Sequence, residues 1–450
     1  MKKLFVANRG EIAVRVLRTA REQGLATVLS VSEADEKSLA AEMADETVVI
    51  GPAPAAASYL NQDAVVQAAI DSGADALHPG FGFLSENAEF AQRVIDAGLT
   101  WVGPDPATIR LMGDKASARA AAEEAGVPTL DGTEGALDPD ADVEEAAAEI
   151  GYPLVVKASA GGGGRGIRLV QSPDQLAGII DIARAEAGAA FGDEALYMER
   201  FVTKARHVEV QILGDGQNFI HLGDRDCSMQ RRQQKLIEEA PAPQLPDSVR
   251  ETIRESSVEL ARRCGYCGAG TVEFLYDSER EVAAFIEMNT RLQVEHPVTE
   301  FVTGIDIVAE QLRIAGGQGL SVSQEDVRFE GHALEVRLNA EDPINGFMPS
   351  PGTISRLQWP SGDGVRIDTG VREGDEVVPY YDSMLAKLIV FGSDRQEAIR
   401  RMSEGLEQLR IEGIKTTIPL LRALIDREEF ADVEHWSSFV ENTEIQLEER

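Results

Sequence analysis

The run Ile286-Glu-Met-Asn-Thr-Arg-Leu-Gln-Val-Glu295 sets Glu287, Asn289, Arg291, Gln293 and Glu295 at every second position. Successive side chains of an extended strand point to opposite faces, so this spacing predicts one strand with a row of five polar groups on one side. The other row, Ile286, Met288, Thr290, Leu292 and Val294, packs inward on this reading. Carboxylates, carboxamides and a guanidinium do not enter a core unpaired, so the polar row faces either water or a charged ligand. A solvated edge would more commonly carry Lys, Thr and Ser, which favours the ligand.

Upstream, Gly270-Thr-Val-Glu-Phe-Leu-Tyr276 and Val282-Ala-Ala-Phe-Ile-Glu287 flank Asp-Ser-Glu-Arg-Glu and predict a hairpin. With Tyr276 set against Val282, Glu273 falls opposite Phe285 and diagonal to Glu287, so the two carboxylates share a face. A slip of one residue would separate them. Two carboxylates and a carboxamide suit a hard cation that also binds substrate phosphates, which points to Mg²⁺.

A phosphate-binding element precedes them. Tyr152-Pro-Leu-Val-Val-Lys-Ala158 predicts a strand, Gly161-Gly-Gly-Gly-Arg-Gly166 a loop and Ile167-Arg-Leu-Val170 a returning strand. Glycines let backbone N–H groups approach an anion without interference from Cβ. A dinucleotide fingerprint needs a helix after the loop and a Walker loop needs Gly-Lys-Ser/Thr, and neither follows. What remains is a hairpin flap over a triphosphate, with Lys157 beside it, or a plain glycine-rich linker. The acidic strand pair favours the flap.

A chain of 450 residues with 43% hydrophobic content supports about three domains with ordinary cores. The formal charge of -34 argues against nucleic acid or an anionic membrane as partner. Nine lysines are present, and Lys115, Lys157 and Lys235 fall in segments that suit anions, whereas Lys204, Lys387 and Lys415 have no evident task. The first apolar run stops at four residues, too short for a signal peptide, so a cytoplasmic location is expected. Cys227, Cys264 and Cys267 cannot form a disulfide framework and are expected to be buried spectators.

Organisation follows from the same patterns. Lys3 to Asn8, Ala26 to Val31, Thr47 to Ile50, Ala74 to Leu77 and Thr100 to Val102 alternate with helical spacing, which predicts an open parallel α/β layer over residues 1–113. Residues 114–330 form a second region whose lid spans about 130–202, and 331–447 a third, rich in short strands and ending in helices.

Together the motifs strongly resemble biotin carboxylase of the ATP-grasp superfamily, nearly end to end. They are Ala7-Asn-Arg-Gly-Glu-Ile-Ala13, His78-Pro-Gly-Phe-Gly-Phe-Leu-Ser-Glu-Asn87, the Gly161 to Gly166 loop, Arg225-Asp-Cys-Ser-Met-Gln-Arg-Arg232, Glu238-Glu-Ala-Pro241, Glu287 to Pro297 and Arg337-Leu-Asn-Ala-Glu-Asp342. The resemblance implies a mixed α/β and α+β multidomain fold: a Rossmann-like N-terminal domain, an ATP-grasp domain with a glycine-rich lid, and a C-terminal biotin carboxylase domain.

It also implies roles. Lys115, Lys157, His207 and Lys235 would contact nucleotide phosphates or bicarbonate, and Glu199 and Val202 the adenine edge. Gly162, Gly163, Gly164 and Gly166 with Gln230 and Gln233 would complete the nucleotide site. Glu273, Glu287 and Asn289 would hold Mg²⁺ or Mn²⁺, and Arg291, Gln293, Val294 and Lys235 would surround bicarbonate, with Phe81 and Gly82 nearby. Glu295 would be the general base, assisted by Arg291 and Lys235, and Arg337 would stabilise a biotin enolate. Phe81 and Gln233 depart from the commonest family residues, Tyr and His or Asn.

Biotin carriers present their lysine in a Met-Lys-Met-type turn, and Met1-Lys2 is the single Met-Lys pair. The expectation is therefore action on biotin borne by a separate carrier protein, with delivery to a separate carboxyltransferase of an acyl-CoA carboxylase or a split pyruvate carboxylase. Family members are commonly homodimers. Another ATP-grasp ligase, a silent docking subunit and a dinucleotide-dependent oxidoreductase are the competing readings.

Overall fold

The computed structural model describes residues 1–133, 137, 143–158, 167–191 and 194–447. The chain opens with β1 (Lys3–Val6), helix α1 (Gly10–Glu22), β2 (Ala26–Ser32), β3 (Glu46–Gly51), β4 (Ala76–His78) and β5 (Thr100–Trp101). Their order is β3-β2-β1-β4-β5, and every pair is parallel, the open α/β layer that the alternating pattern predicts. In α1 the residues Ile12, Ala13, Val16, Leu17 and Ala20 recur at helical spacing and are buried against this sheet. Asn8 donates from Nδ2 to the carbonyls of Pro79 and Phe81, both at 2.7 Å, and so ties the end of β1 to the His-Pro-Gly-Phe turn.

A small antiparallel sheet follows, formed by β6 (Leu154–Ala158), β7 (Ile167–Val170) and β8 (Leu196–Arg200) in the order β7-β6-β8. Leu154, Val156, Val170, Leu176 and Met198 form its core against the helices Val143–Ile150 and Pro173–Phe191. The glycine loop expected over phosphates, Gly161 to Gly166, lies outside the described residues.

The largest element is an eight-stranded antiparallel sheet. It contains β9 (Ala205–Asp215), β10 (Phe219–Arg231), β11 (Gln234–Ala240), β12 (Cys267–Asp277), β13 (Val282–Asn289), β14 (His332–Asn339), β15 (Val365–Thr369) and β16 (Met384–Gly392). The order is β13-β12-β9-β10-β11-β14-β16-β15. Since β11 pairs with β14, the second and third regions of the sequence share one continuous sheet. Among the described residues no helix is long and apolar enough to cross a membrane.

Three expectations are corrected. The strand foreseen from Ile286 to Glu295 stops at Asn289, and Glu295, at φ -80 and ψ 9, leads into the helix His296–Thr303. Pro297 in the first turn of that helix favours its start and ends the extended stretch. The hairpin register is also shifted: Asp277 pairs with Val282, and a bulge beyond Phe274 sets Glu273 directly against Glu287. Ile286 is the extra residue of the bulge and is 40% exposed rather than packed inward. Finally, only Cys227 is buried, while Cys264 and Cys267 are partly exposed.

Candidate active site

Period-two alternation places His207, Glu209 and Gln211 on one face of β9. Glu273 of β12 and Arg225 of β10 flank Glu209 in register on either side. Lys235 enters from β11 and its Nζ donates to Glu295 Oε1 at 2.5 Å, Glu209 Oε2 at 2.7 Å and Glu273 Oε1 at 3.1 Å. Arg337 of β14 closes the other side, donating from Nη2 to Glu295 Oε2 at 2.9 Å and from Nε to Glu238 Oε1 at 2.5 Å. The Glu295 carboxylate, with 0% exposure, therefore sits between an ammonium and a guanidinium.

The turn after β13 adds a second cluster. Arg291 donates to Glu86 Oε2 at 2.8 Å, to Gln293 Oε1 at 2.7 Å and to Asn289 Oδ1 at 3.1 Å. Gln293 Nε2 in turn donates to Glu273 Oε1 at 3.0 Å, which joins the two clusters. The polar residues of the Ile286 to Glu295 run thus converge through a turn and not through one strand face.

Charge balance sets the protonation states. Burial opposes ionisation of Glu295, but Lys235, then Arg337 and Arg225, hold its carboxyl well below the usual carboxylate range. Burial likewise opposes the charge on Lys235, yet the Cys227 sulfur and the three carboxylates around it hold the ammonium well above the ordinary lysine range. Burial works against protonated His207, and Glu273 at 3.1 Å overrides it, so its pKa is raised. Glu209 is pushed up by burial and then by Glu295.

Glu273 and Glu287 form the hard-donor pair. Burial and then Glu273 push the Glu287 carboxyl up, and Glu287 makes no hydrogen bond or ion pair among the described residues. A divalent cation between facing carboxylates relieves both burdens, so these oxygens with Asn289 fit a Mg²⁺ ion. A cleft of about 210 Å³ lined by Glu86, Lys115, Ile286, Glu287 and Asn289 opens beside them.

Of the remaining expected residues, Gln230 and Val294 adjoin this cluster through Lys235 and Glu295, and the others sit on other elements. Lys157 of β6 donates to Glu199 of β8, and Arg119 approaches the same carboxylate at 2.8 Å. Val202 follows β8 and is half-buried. Gln230 pairs in register with Lys235, and Gln233 is exposed at the tip of the β10–β11 hairpin with φ 67. Phe81 packs part of its ring on the core around α1, and Gly82 is exposed at φ 66. The Val294 carbonyl accepts a hydrogen bond from Lys387 Nζ at 2.7 Å.

Sequence reasoning left out Glu209, Arg225, Glu238, Glu86 and Lys387. Glu209 was within reach, because His207-Val-Glu-Val-Gln211 shows the same alternation as the run that ends at Glu295. Arg225 is fully buried and donates to Glu209 at 2.6 Å, Gln211 at 2.8 Å and Thr299 at 2.9 Å. With Thr271, which accepts at 3.2 Å, its partners come from three separate segments, which no local pattern announces.

A small three-stranded sheet beside a large antiparallel sheet with facing acidic strands is the architecture of a three-domain ATP-dependent ligase. Residues 1–109 match the family model "Biotin carboxylase, N-terminal domain", 114–323 match "Carbamoyl-phosphate synthase L chain, ATP binding domain" and 335–442 match "Biotin carboxylase C-terminal domain". The chain is 52% identical over 427 residues to biotin carboxylase of Pseudomonas aeruginosa, covering 94% of each. It is 49% identical over 449 residues to biotin carboxylase 1 of Bacillus subtilis, covering 99% of each. Among solved structures it is similar to the biotin carboxylase domain dimer of Hydrogenobacter thermophilus 2-oxoglutarate carboxylase, in complex with MgADP, ADP and bicarbonate. That match has a TM-score of 0.88 and 47% identity, covering 98% of this chain and 97% of the other. The chain belongs to the biotin carboxylase family.

Proposed function

We propose that the chain carboxylates biotin on a separate carrier protein with ATP and bicarbonate, through carboxyphosphate, as the first half-reaction of an acyl-CoA carboxylase. The observation that carries this reading is Glu295 gripped between Lys235 and Arg337. Bicarbonate, held by Arg291, Gln293, the Val294 backbone and Lys235, lies within reach of that carboxylate on this reading. Lys235 then turns part of its charge from Glu295 to the bound anion, and Glu295 becomes a stronger base and takes the bicarbonate proton.

The freed oxygen attacks the γ-phosphorus of ATP, the bond to ADP breaks, and carboxyphosphate forms. Lys115, Lys157 and protonated His207 hold the phosphates, with Gly162, Gly163, Gly164 and Gly166 as the lid. Glu199 and Val202 take the adenine edge, and Gln230 and Gln233 lie on the ribose side. Mg²⁺ on Glu273, Glu287 and Asn289 would neutralise charge on the β- and γ-oxygens.

Carboxyphosphate breaks down to carbon dioxide and phosphate. The phosphate removes the N1′ proton of biotin, Arg337 stabilises the enolate, and N1′ attacks carbon dioxide. Phe81 and Gly82 border the bicarbonate side. On this reading a carboxyltransferase partner receives the carboxyl group and sets the final acceptor. We take it as acetyl- or propionyl-CoA, with pyruvate as the alternative, and the cytoplasm as the setting. A homodimer is in keeping with the Hydrogenobacter domain, described as a dimer.

The test is incubation with ATP, Mg²⁺, labelled bicarbonate and free biotin. Acid-labile labelled carboxybiotin is expected, and no label transfer by folded protein overturns the reading. Adding carrier, carboxyltransferase and acyl-CoA or pyruvate then identifies the acceptor.

A further inference from the structure

Lys387 is a lysine with 0% exposure, buried at the junction of three segments. It lies on β16, where Arg337 of β14 and Asp368 of β15 are its register partners on either side. Its Nζ donates to the Val294 carbonyl at 2.7 Å and stands 3.4 Å from Glu11 Oε1 of α1. Burying an ammonium is costly unless it is paired, and a flexible four-carbon stem could have carried this one to the surface. Here the charge is held inside the protein with its hydrogen bond spent on one backbone carbonyl. That carbonyl immediately precedes Glu295 and belongs to the turn that presents Arg291 and Gln293.

We infer that Lys387 is a positioning residue for the bicarbonate site: it clamps the Val294 carbonyl and, anchored by Glu11, fixes the turn that aims Glu295 between Lys235 and Arg337. The inference rests on the reading of Glu295 and Val294 given under Proposed function. Lys387 touches no reacting atom. It acts through the turn on one side and through its sheet neighbour Arg337 on the other, so it couples the N-terminal layer to the catalytic face. The turn after β13 continues no strand ladder; Glu86 holds its Thr290 and Arg291 end, and Lys387 holds the Val294 end next to Glu295.

The test compares the unaltered chain with Lys387→Met and with Glu11→Gln plus Lys387→Met, all at pH 8. Lys387→Met keeps the volume of the stem and removes the donor and the charge. Expected is a lower Tm and a rise in KM for bicarbonate of about tenfold, the size of a lost hydrogen bond from a charged group. KM for ATP stays within twofold. In the double variant the carboxylate left without its ammonium is gone, so Tm recovers while KM for bicarbonate stays high.

Recovery of both together, or an unchanged KM for bicarbonate in either folded variant, reduces Lys387 to a structural charge and overturns the inference. Should the single variant fail to fold, the double variant decides. Absence of bicarbonate-dependent ATP cleavage by the unaltered chain removes the underlying reading and the inference with it. Turnover by the unaltered chain with no variant effect removes the inference alone.

Discussion

Glu238 of β11 and Glu335 of β14 stand directly opposite each other in the central sheet, and both have 0% exposure. Like charges opposed across a strand pair repel, and burial adds to the cost of each. Burial, with Glu238 contributing, pushes the Glu335 carboxyl well above the ordinary range. Glu238 rises to about 7 through burial, with Arg337 opposing and Glu295 adding. Among the described residues neither oxygen of Glu335 has a hydrogen-bond partner, whereas Glu238 accepts from Arg337. The proton of the pair therefore resides first on Glu335, and Glu238, whose charge orients Arg337, takes up its own near pH 7.

Glu335→Gln copies the shape of a protonated acid. It should alter the unfolding free energy at pH 7 by less than about 1 kcal/mol, because no charge is lost. Glu335→Ala opens a cavity and should cost about 2 kcal/mol or more. Urea denaturation of both variants checks this. A loss from Gln as large as that from Ala would show that Glu335 is ionised after all.

Glu11 provides a prediction with a defined pH window. Burial pushes its carboxyl from 4.5 up to about 7 against the opposing charge of Lys387. The native state thus binds this proton more tightly than the unfolded chain, so its contribution to stability is greatest below pH 4.5 and falls as pH rises to about 7. The fall amounts to roughly 3 kcal/mol and levels off above that pH. Glu11→Gln removes it. The variant should gain on the unaltered chain steadily from pH 5 to pH 8 in urea midpoints, and a pH-independent difference would contradict the assignment.

What the sequence disclosed followed from period and composition. The parallel layer was legible because buried parallel strands such as Lys3 to Val6 read as apolar runs between helical stripes. The convergence of Glu273 and Glu287 was legible too, but for a reason only partly right: the assumed register was off by one, and the bulge at Ile286 restored the shared face. A bulge leaves no trace in alternation. The turn from Thr290 to Glu295 kept perfect alternation without being a strand, so period two placed the right residues in the site by the wrong backbone. Arg225 and Lys387 were hidden because their partners are distant in the chain, and burial of a charge is decided by those partners.

Glu295→Gln tests the base. Its volume and one acceptor remain, while the ability to take a proton is lost. Turnover of carboxybiotin should fall about a hundredfold or more, the usual contribution of a positioned base. KM for ATP should stay within twofold, since on the proposed reading Lys115, Lys157 and His207 hold the nucleotide. Retention of most of the turnover would move the role of base to another group.

Glu86 reaches across from the N-terminal layer to the catalytic turn. Its Oε2 accepts from Arg291 Nε at 2.8 Å and its Oε1 from the Thr290 backbone N–H at 3.2 Å. Burial opposes the charge on Arg291, and Glu86 is the chief group that raises its pKa against that cost. Glu86→Gln keeps an acceptor but removes the charge, so the guanidinium loses its charged partner and keeps neutral ones, among them Gln293, Asn289 and the Leu292 carbonyl. KM for bicarbonate should rise several-fold, as expected for a weakened charge-assisted hydrogen bond, while kcat falls by less. Steady-state kinetics with bicarbonate as the varied substrate separates the two. If kcat drops and KM holds, Glu86 acts in the chemical step and not in seating Arg291.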